Sequence, residues 1–99
     1  MSEENCAKLL TVPNLTGGNV MRFSSDLDLY NTISQNIKYY RKQRGITQIQ
    51  LAEEAKISIS YLSKIEAAGL NKSLSISVLN QIANALNIDI EKFFNKQGS

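Results

Sequence analysis

Only Lys56 and Ile57 separate the end of one short helix from the cap of the next, and nothing else in the 99-residue chain constrains its fold as tightly. The first helix of this pair opens at Thr47, with Gln50 three positions on. That spacing is a capping box: the hydroxyl accepts one orphan backbone amide and the glutamine accepts the amide of the cap itself. Leu51, Ala52 and Ala55 face inward, and the helix runs to about Lys56. The second member opens at Ser58, turns Leu62 and Ile65 inward and ends near Gly69. Two helices this short, joined this tightly, cannot lie antiparallel and must cross steeply. Small Ala52 allows close approach and Ile57 fills the corner.

The flanking sequence supplies three more helices. From about residue 29, Ile33, Ile37 and Tyr40 fall at i, i+4 and i+7, and Gly45 is a usual stop. After the central pair, Ser75 caps a fourth helix, Leu74 and Leu79 are spaced as a hydrophobic staple, and Val78, Leu79, Ile82, Ala85 and Leu86 form its buried stripe. Asp89 is expected to cap a last short helix carrying Ile90, Phe93 and Phe94. The expectation is an all-α fold, a compact five-helix domain over residues 30–95 with a tail at 96–99. Residues 1–29 differ: they hold Pro13, Gly17 and Gly18 and keep no helical period. Two β-prone runs, 9–12 and 20–23, flank a turn-rich stretch, so this arm is expected to be flexible or to form a short hairpin.

Composition removes most enzyme chemistry. The chain has one cysteine, Cys6, and no histidine, which excludes an internal disulfide, cysteine-rich zinc sites, histidine-ligated metals and every histidine-activated nucleophile. Glu53 and Glu54 are adjacent on a helix and diverge, so they make no paired-carboxylate site. No catalytic residue, metal site or cofactor is expected. No apolar run reaches the roughly 18 residues of a membrane span, and the N-terminus lacks a basic-then-apolar leader, so a cytoplasmic location is expected. The net charge of +2 is unevenly spread: residues 1–30 carry two basic and four acidic side chains, residues 31–99 nine basic and five acidic. The body can therefore meet an anionic partner.

The third helix carries the specific signal. Its outward positions read Ile59, Ser60, Ser63 and Lys64, with one cation and no acid, a face that fits a major groove without electrostatic conflict. Here the chain resembles the lambdoid-repressor and Cro-like helix-turn-helix regulators of the xenobiotic-response-element type. Residues 33–48 look like the first helix and turn of that family. Thr47-Gln48-Ile49-Gln50-Leu51-Ala52-Glu53-Glu54-Ala55 and Ile57-Ser58-Ile59-Ser60-Tyr61-Leu62-Ser63-Lys64-Ile65-Glu66 are similar to its two motif helices, and Leu79 to Leu86 with Phe93-Phe94 to its closing helices. The resemblance covers roughly residues 30–95. Two departures stand out: Lys56 replaces the usual turn glycine and so must accept a left-handed or altered backbone, and the stretch 67–74 is longer than the family's loop and lacks its common proline.

The resemblance implies a DNA-binding transcriptional regulator, a repressor in the first instance, acting as a homodimer on a pseudo-palindromic operator in a bacterial or phage-like cell. It places Ser58, Ile59, Ser60, Ser63 and Lys64 toward the bases, and Gln48, Arg41, Arg44, Tyr61 and Lys72 toward phosphates. Arg41 and Glu66 look like the family's paired scaffold residues. Phe94 and Ile90 are candidate dimer contacts. The basic cluster Lys38, Arg41, Lys42 and Arg44, taken alone, reads as a solvated helix face ahead of a binding site, and its position beside the motif brings Arg41 and Arg44 forward as phosphate contacts. A second class stays open: an antitoxin-like accessory module whose arm binds a protein partner while the body regulates its own promoter.

Overall fold

A serine or threonine hydroxyl starts each α-helix in the computed structural model, which describes residues 22–67 and 74–96. Helix α1 is Asp26–Gln43, α2 Gln48–Ala55, α3 Ile59–Glu66 and α4 Ile76–Leu86, with a closing 3-10 segment at Ile90–Phe94. Ser25, Thr47, Ser58 and Ser75 accept the backbone amides of Asp28, Gln50, Tyr61 and Val78 at 3.0–3.1 Å. The capping box at α2 is complete, because Gln50 Oε1 accepts the Thr47 amide at 2.8 Å.

Three of the helices stop by one shared device. Gly45, Lys56 and Asn87 take left-handed backbone, with φ of 71°, 61° and 59°. Each is followed by an isoleucine whose amide reaches back into the last turn: Ile46 to Arg41, Ile57 to Ala52 and Ile88 to Ala83. Gly45, Lys56 and Asn87 themselves donate to Lys42, Glu53 and Asn84. This is the Schellman pattern, which satisfies carbonyls that a helix end otherwise leaves bare. The three isoleucines then pack partly buried against the core. At Lys56 the chain thus keeps the left-handed turn without the glycine.

That core unites all five segments: Ile33 and Ile37 from α1, Leu51, Ala52 and Ala55 from α2, Leu62 and Ile65 from α3, Leu79, Ile82, Ala83 and Leu86 from α4, and Phe93. Asn36 is fully buried among them, and its Nδ2 donates to the carbonyls of Phe93 and Asn95, both at 2.7 Å. The closing segment is thereby fastened to α1.

Three expectations need correction. Helix α1 begins at Asp26 rather than near 29, because the Ser25 cap and acidic Asp26 and Asp28 favour a helix start without any apolar period. The fifth helix is a 3-10 segment, so the α-helices number four among the described residues; Asp89 makes no side-chain cap, and the Lys92 amide bonds to its carbonyl instead. Helix α3 ends at Glu66, since Ala67 has extended backbone. Residues 1–21, with most of the expected hairpin, lie outside the described residues.

The two ends of the described domain meet. Lys96 Nζ lies 3.0 Å from Asp28 Oδ2 and 5.2 Å from the centre of the Phe23 ring. The Ser24 backbone amide, then Lys96, hold the Asp28 carboxyl below its ordinary value of 3.8. A carboxyl lowered in this way stabilises the fold fully above that ordinary value, and the contribution drains away as pH falls through its folded pKa. Asp28→Asn should therefore melt below wild type at neutral pH, with the two melting temperatures converging as pH drops under the carboxylate range. Lys56→Gly should stabilise the domain by about 0.5–1 kcal/mol, read as a few degrees in thermal melts, because glycine adopts the left-handed turn without a Cβ penalty.

Candidate nucleic-acid interface

Helix α3 has one carboxylate, Glu66, and the fold buries it at 4% exposure. Arg41 of α1 meets it side-on: Nε donates to Oε2 at 2.8 Å and Nη2 to Oε1 at 3.0 Å. The remaining arm of the guanidinium, Nη1, donates to the Ile46 carbonyl at 2.9 Å, which ties in the turn leading to α2. Gln48, the first residue of α2, adds a second donor to Glu66 Oε1, from Nε2 at 3.0 Å. Gln48 in turn accepts from the Ser63 hydroxyl at 2.9 Å through Oε1. One continuous network therefore joins α1, α2 and α3. Ser34 adds a further tie, its hydroxyl donating to the Ile65 carbonyl at 2.6 Å.

With its one acid consumed inward, α3 turns an acid-free face to solvent. Ile59, Ser60, Ser63 and Lys64 are all exposed, Ile59 at 41%, while Leu62 and Ile65 are buried on the opposite side. Lys64 makes no ion pair among the described residues. An exposed branched aliphatic beside hydroxyls and a free cation can contact a thymine methyl, base-edge acceptors and phosphate oxygens together.

The structure brings most of the expected residues to one place and moves some aside. Gln48, Arg41, Ser63 and Glu66 are linked directly. Ser58 serves first as the cap of α3, and Tyr61 lies half-buried against the core. Arg44 is directed elsewhere: its Nη1 donates to the Ala85 carbonyl at 2.5 Å and lies 3.4 Å from Glu54 Oε1, closing the C-terminal end of α4. Lys72 lies outside the described residues. Ile90 and Phe94, the candidate dimer contacts, are half-buried and pack against the core. The sequence does not point to the Ser63–Gln48 bond. Nothing in a serine at that position distinguishes a base-reader from a brace.

A short capped helix, a left-handed turn and a second short helix braced against the first by a polar network define a helix-turn-helix domain. The chain belongs to the Helix-turn-helix family HTH_3, which it matches over residues 37–93. It is 49% identical over 59 residues to the immunity repressor protein of Bacillus phage phi105, covering 60% of this chain and 40% of that protein. The chain thus spans well under two thirds of that relative's length. Among solved structures it is similar to the N-terminal DNA-binding domain of SinR from Bacillus subtilis, with a TM-score of 0.62 at 33% identity, covering 70% of this chain and 99% of that one. It is also similar to SinR, the master regulator for biofilm formation, in complex with DNA, with a TM-score of 0.57 at 38% identity over 62% of this chain and 95% of that one.

The network makes a stability prediction. Arg41→Ala or Glu66→Ala leaves a buried charge without its partner and should cost about 3–5 kcal/mol in chemical denaturation. Replacing both by methionine should cost less than either single change, because no orphaned charge remains. Ser63→Ala, which removes one exposed hydrogen bond, should cost at most about 1 kcal/mol.

Proposed function

We propose that the chain is a sequence-specific DNA-binding transcriptional regulator that acts as a repressor. Two copies lay α3 in successive major grooves of a pseudo-palindromic operator in a bacterial or phage-infected cell, and occupy the site sterically. The observation that carries this reading is the fate of Glu66. The one acid on α3 is buried and bonded through both oxygens, so everything α3 shows to solvent is neutral or cationic. Membership of the helix-turn-helix family and the likeness to SinR in complex with DNA support the same assignment.

In this reading Lys64, Ser60 and Ile59 face base edges, and Ser58 adds its hydroxyl at the start of α3. Ser63 positions Gln48 for a phosphate, and Arg41 offers the guanidinium hydrogens that Glu66 and Ile46 leave over. The dimer and its contacts belong to the proposal as well. The protein-binding alternative rests on residues 1–29, most of them outside the described residues, and no observation favours it.

Selection of bound sequences from random duplexes should recover a split motif whose symmetry reports two copies. Lys64→Ala should then weaken binding to the recovered operator by about 1–3 kcal/mol and relax the preference at one base position per half-site. A loss equal on all sequences would assign Lys64 to a phosphate, and no recovered motif at all would overturn the proposed function.

A further inference from the structure

Beside the α3 brace, on its α1 side, lies a shallow cavity of about 350 Å³ lined by Ser34, Gln35, Lys38, Tyr39, Lys42 and Glu66. We infer that this cavity is an anion pocket that grips a DNA backbone phosphate through Lys38 and Lys42 and extends the protein's footprint beyond the recognition helix. The inference rests on the DNA-binding reading above and names a contact outside the helix-turn-helix pair.

Lys38 and Lys42 stand four residues apart on α1, so their ammonium groups share one face, and like charges at this spacing work against the helix that carries them. Both side chains are exposed, and neither makes an ion pair among the described residues. The one acid in the wall does not relieve them. Glu66 already accepts from Arg41 through both oxygens and from Gln48 through one, and its charge is answered by Arg41. The Ser34 hydroxyl is likewise occupied, donating to the Ile65 carbonyl. What remains open to a ligand is two ammonium groups, with the Gln35 amide and the Tyr39 hydroxyl as further donors at the rim.

A wall of donors over a neutralised floor selects an anion, and continuity selects which one. Glu66 belongs both to the cavity wall and to the network that fixes Gln48 and Ser63. The cavity is therefore linked through one side chain, Gln48, to the Ser63 hydroxyl on the outer face of α3, the face that enters the groove in the reading above. Duplex DNA carries a phosphate charge about every 1.7 Å along its axis, so a backbone passing α3 presents phosphates to this flank. Lysines hold phosphate as mobile point charges without reading sequence. The pocket should add affinity and salt dependence while leaving base preference unchanged.

The test is the salt dependence of binding by the full chain to its selected operator, compared for wild type, Lys38→Gln, Lys42→Gln, the double variant and Lys92→Gln. Lys92 is an exposed lysine on the closing segment, and its replacement removes the same formal charge elsewhere. The double variant should lose about 0.9 from the log–log salt slope for each protomer bound, one phosphate's worth of counterions, and bind several-fold more weakly at low salt. The Lys92 variant should keep the wild-type slope, and the recovered motif should be the same for all. Unaltered melting temperatures will show that the variants are folded. A double variant with the wild-type slope, or one no different from Lys92→Gln, overturns the pocket while leaving the DNA-binding reading intact. A wild-type chain that binds no duplex overturns both.

Discussion

The side-on pairing of Arg41 with Glu66 is the contact on which the arrangement of the other elements depends. Burying two opposite charges is costly, and the pair is tolerable because both Glu66 oxygens are hydrogen-bonded and each nitrogen of the Arg41 guanidinium has a partner. Three donors reach the two Glu66 oxygens, and the guanidinium spends its remaining arm on the Ile46 carbonyl. Because those partners come from α1, the turn after it, α2 and α3, the pair sets the mutual placement of three helices at a single point. Apolar packing alone would hold α3 against the core with less directional demand. The hydrogen bonds specify how it sits.

Helices α2 and α3 have eight residues each, too few to persist alone in water. They exist because their ends are closed and one face of each is buried. At the end of α2 the left-handed residue followed by isoleucine does both jobs at once: it satisfies the last carbonyls and returns the chain to the core. The same device recurs at Gly45-Ile46, Lys56-Ile57 and Asn87-Ile88 with three different residues in the left-handed position. Asparagine and glycine adopt that backbone readily, whereas lysine does so because Ile57 and the α2–α3 packing hold it there.

The polar network and the solvent-facing side of α3 are two sides of one helix. Glu66 points inward to be neutralised, and its removal from the outer face leaves Ile59, Ser60, Ser63 and Lys64 on a surface without negative charge. Helix-turn-helix relatives that bind DNA, such as SinR, provide the setting in which this chemistry makes sense. Lys38 and Lys42 add two exposed cations on the neighbouring face of α1, lining the same cavity as Glu66.

Local chemistry was legible from the residues. Thr47 with Gln50, and the hydroxyls of Ser58 and Ser75, mark helix starts because a cap needs only its own amide neighbours, and the apolar spacing of α3 and α4 names their buried faces. The Arg41–Glu66 pair was readable through family resemblance, since nothing in either residue alone announces a partner 25 positions away. The start of α1 is less legible because only the Ser25 cap and Leu29 extend the pattern ahead of Ile33, and the closing 3-10 segment is less legible because the Phe93 carbonyl bonds to Asn36, far away in sequence. The sequence by itself determined where helices begin, which faces are apolar and that the central pair must cross. Only the tertiary structure decided that Ser63 braces Gln48, that Arg44 closes α4, and that Lys38 and Lys42 share a cavity with the buried Glu66. Capping and periodicity act within a turn or two of chain, whereas the partner of a polar side chain is set by which distant elements the packed core brings within hydrogen-bond reach.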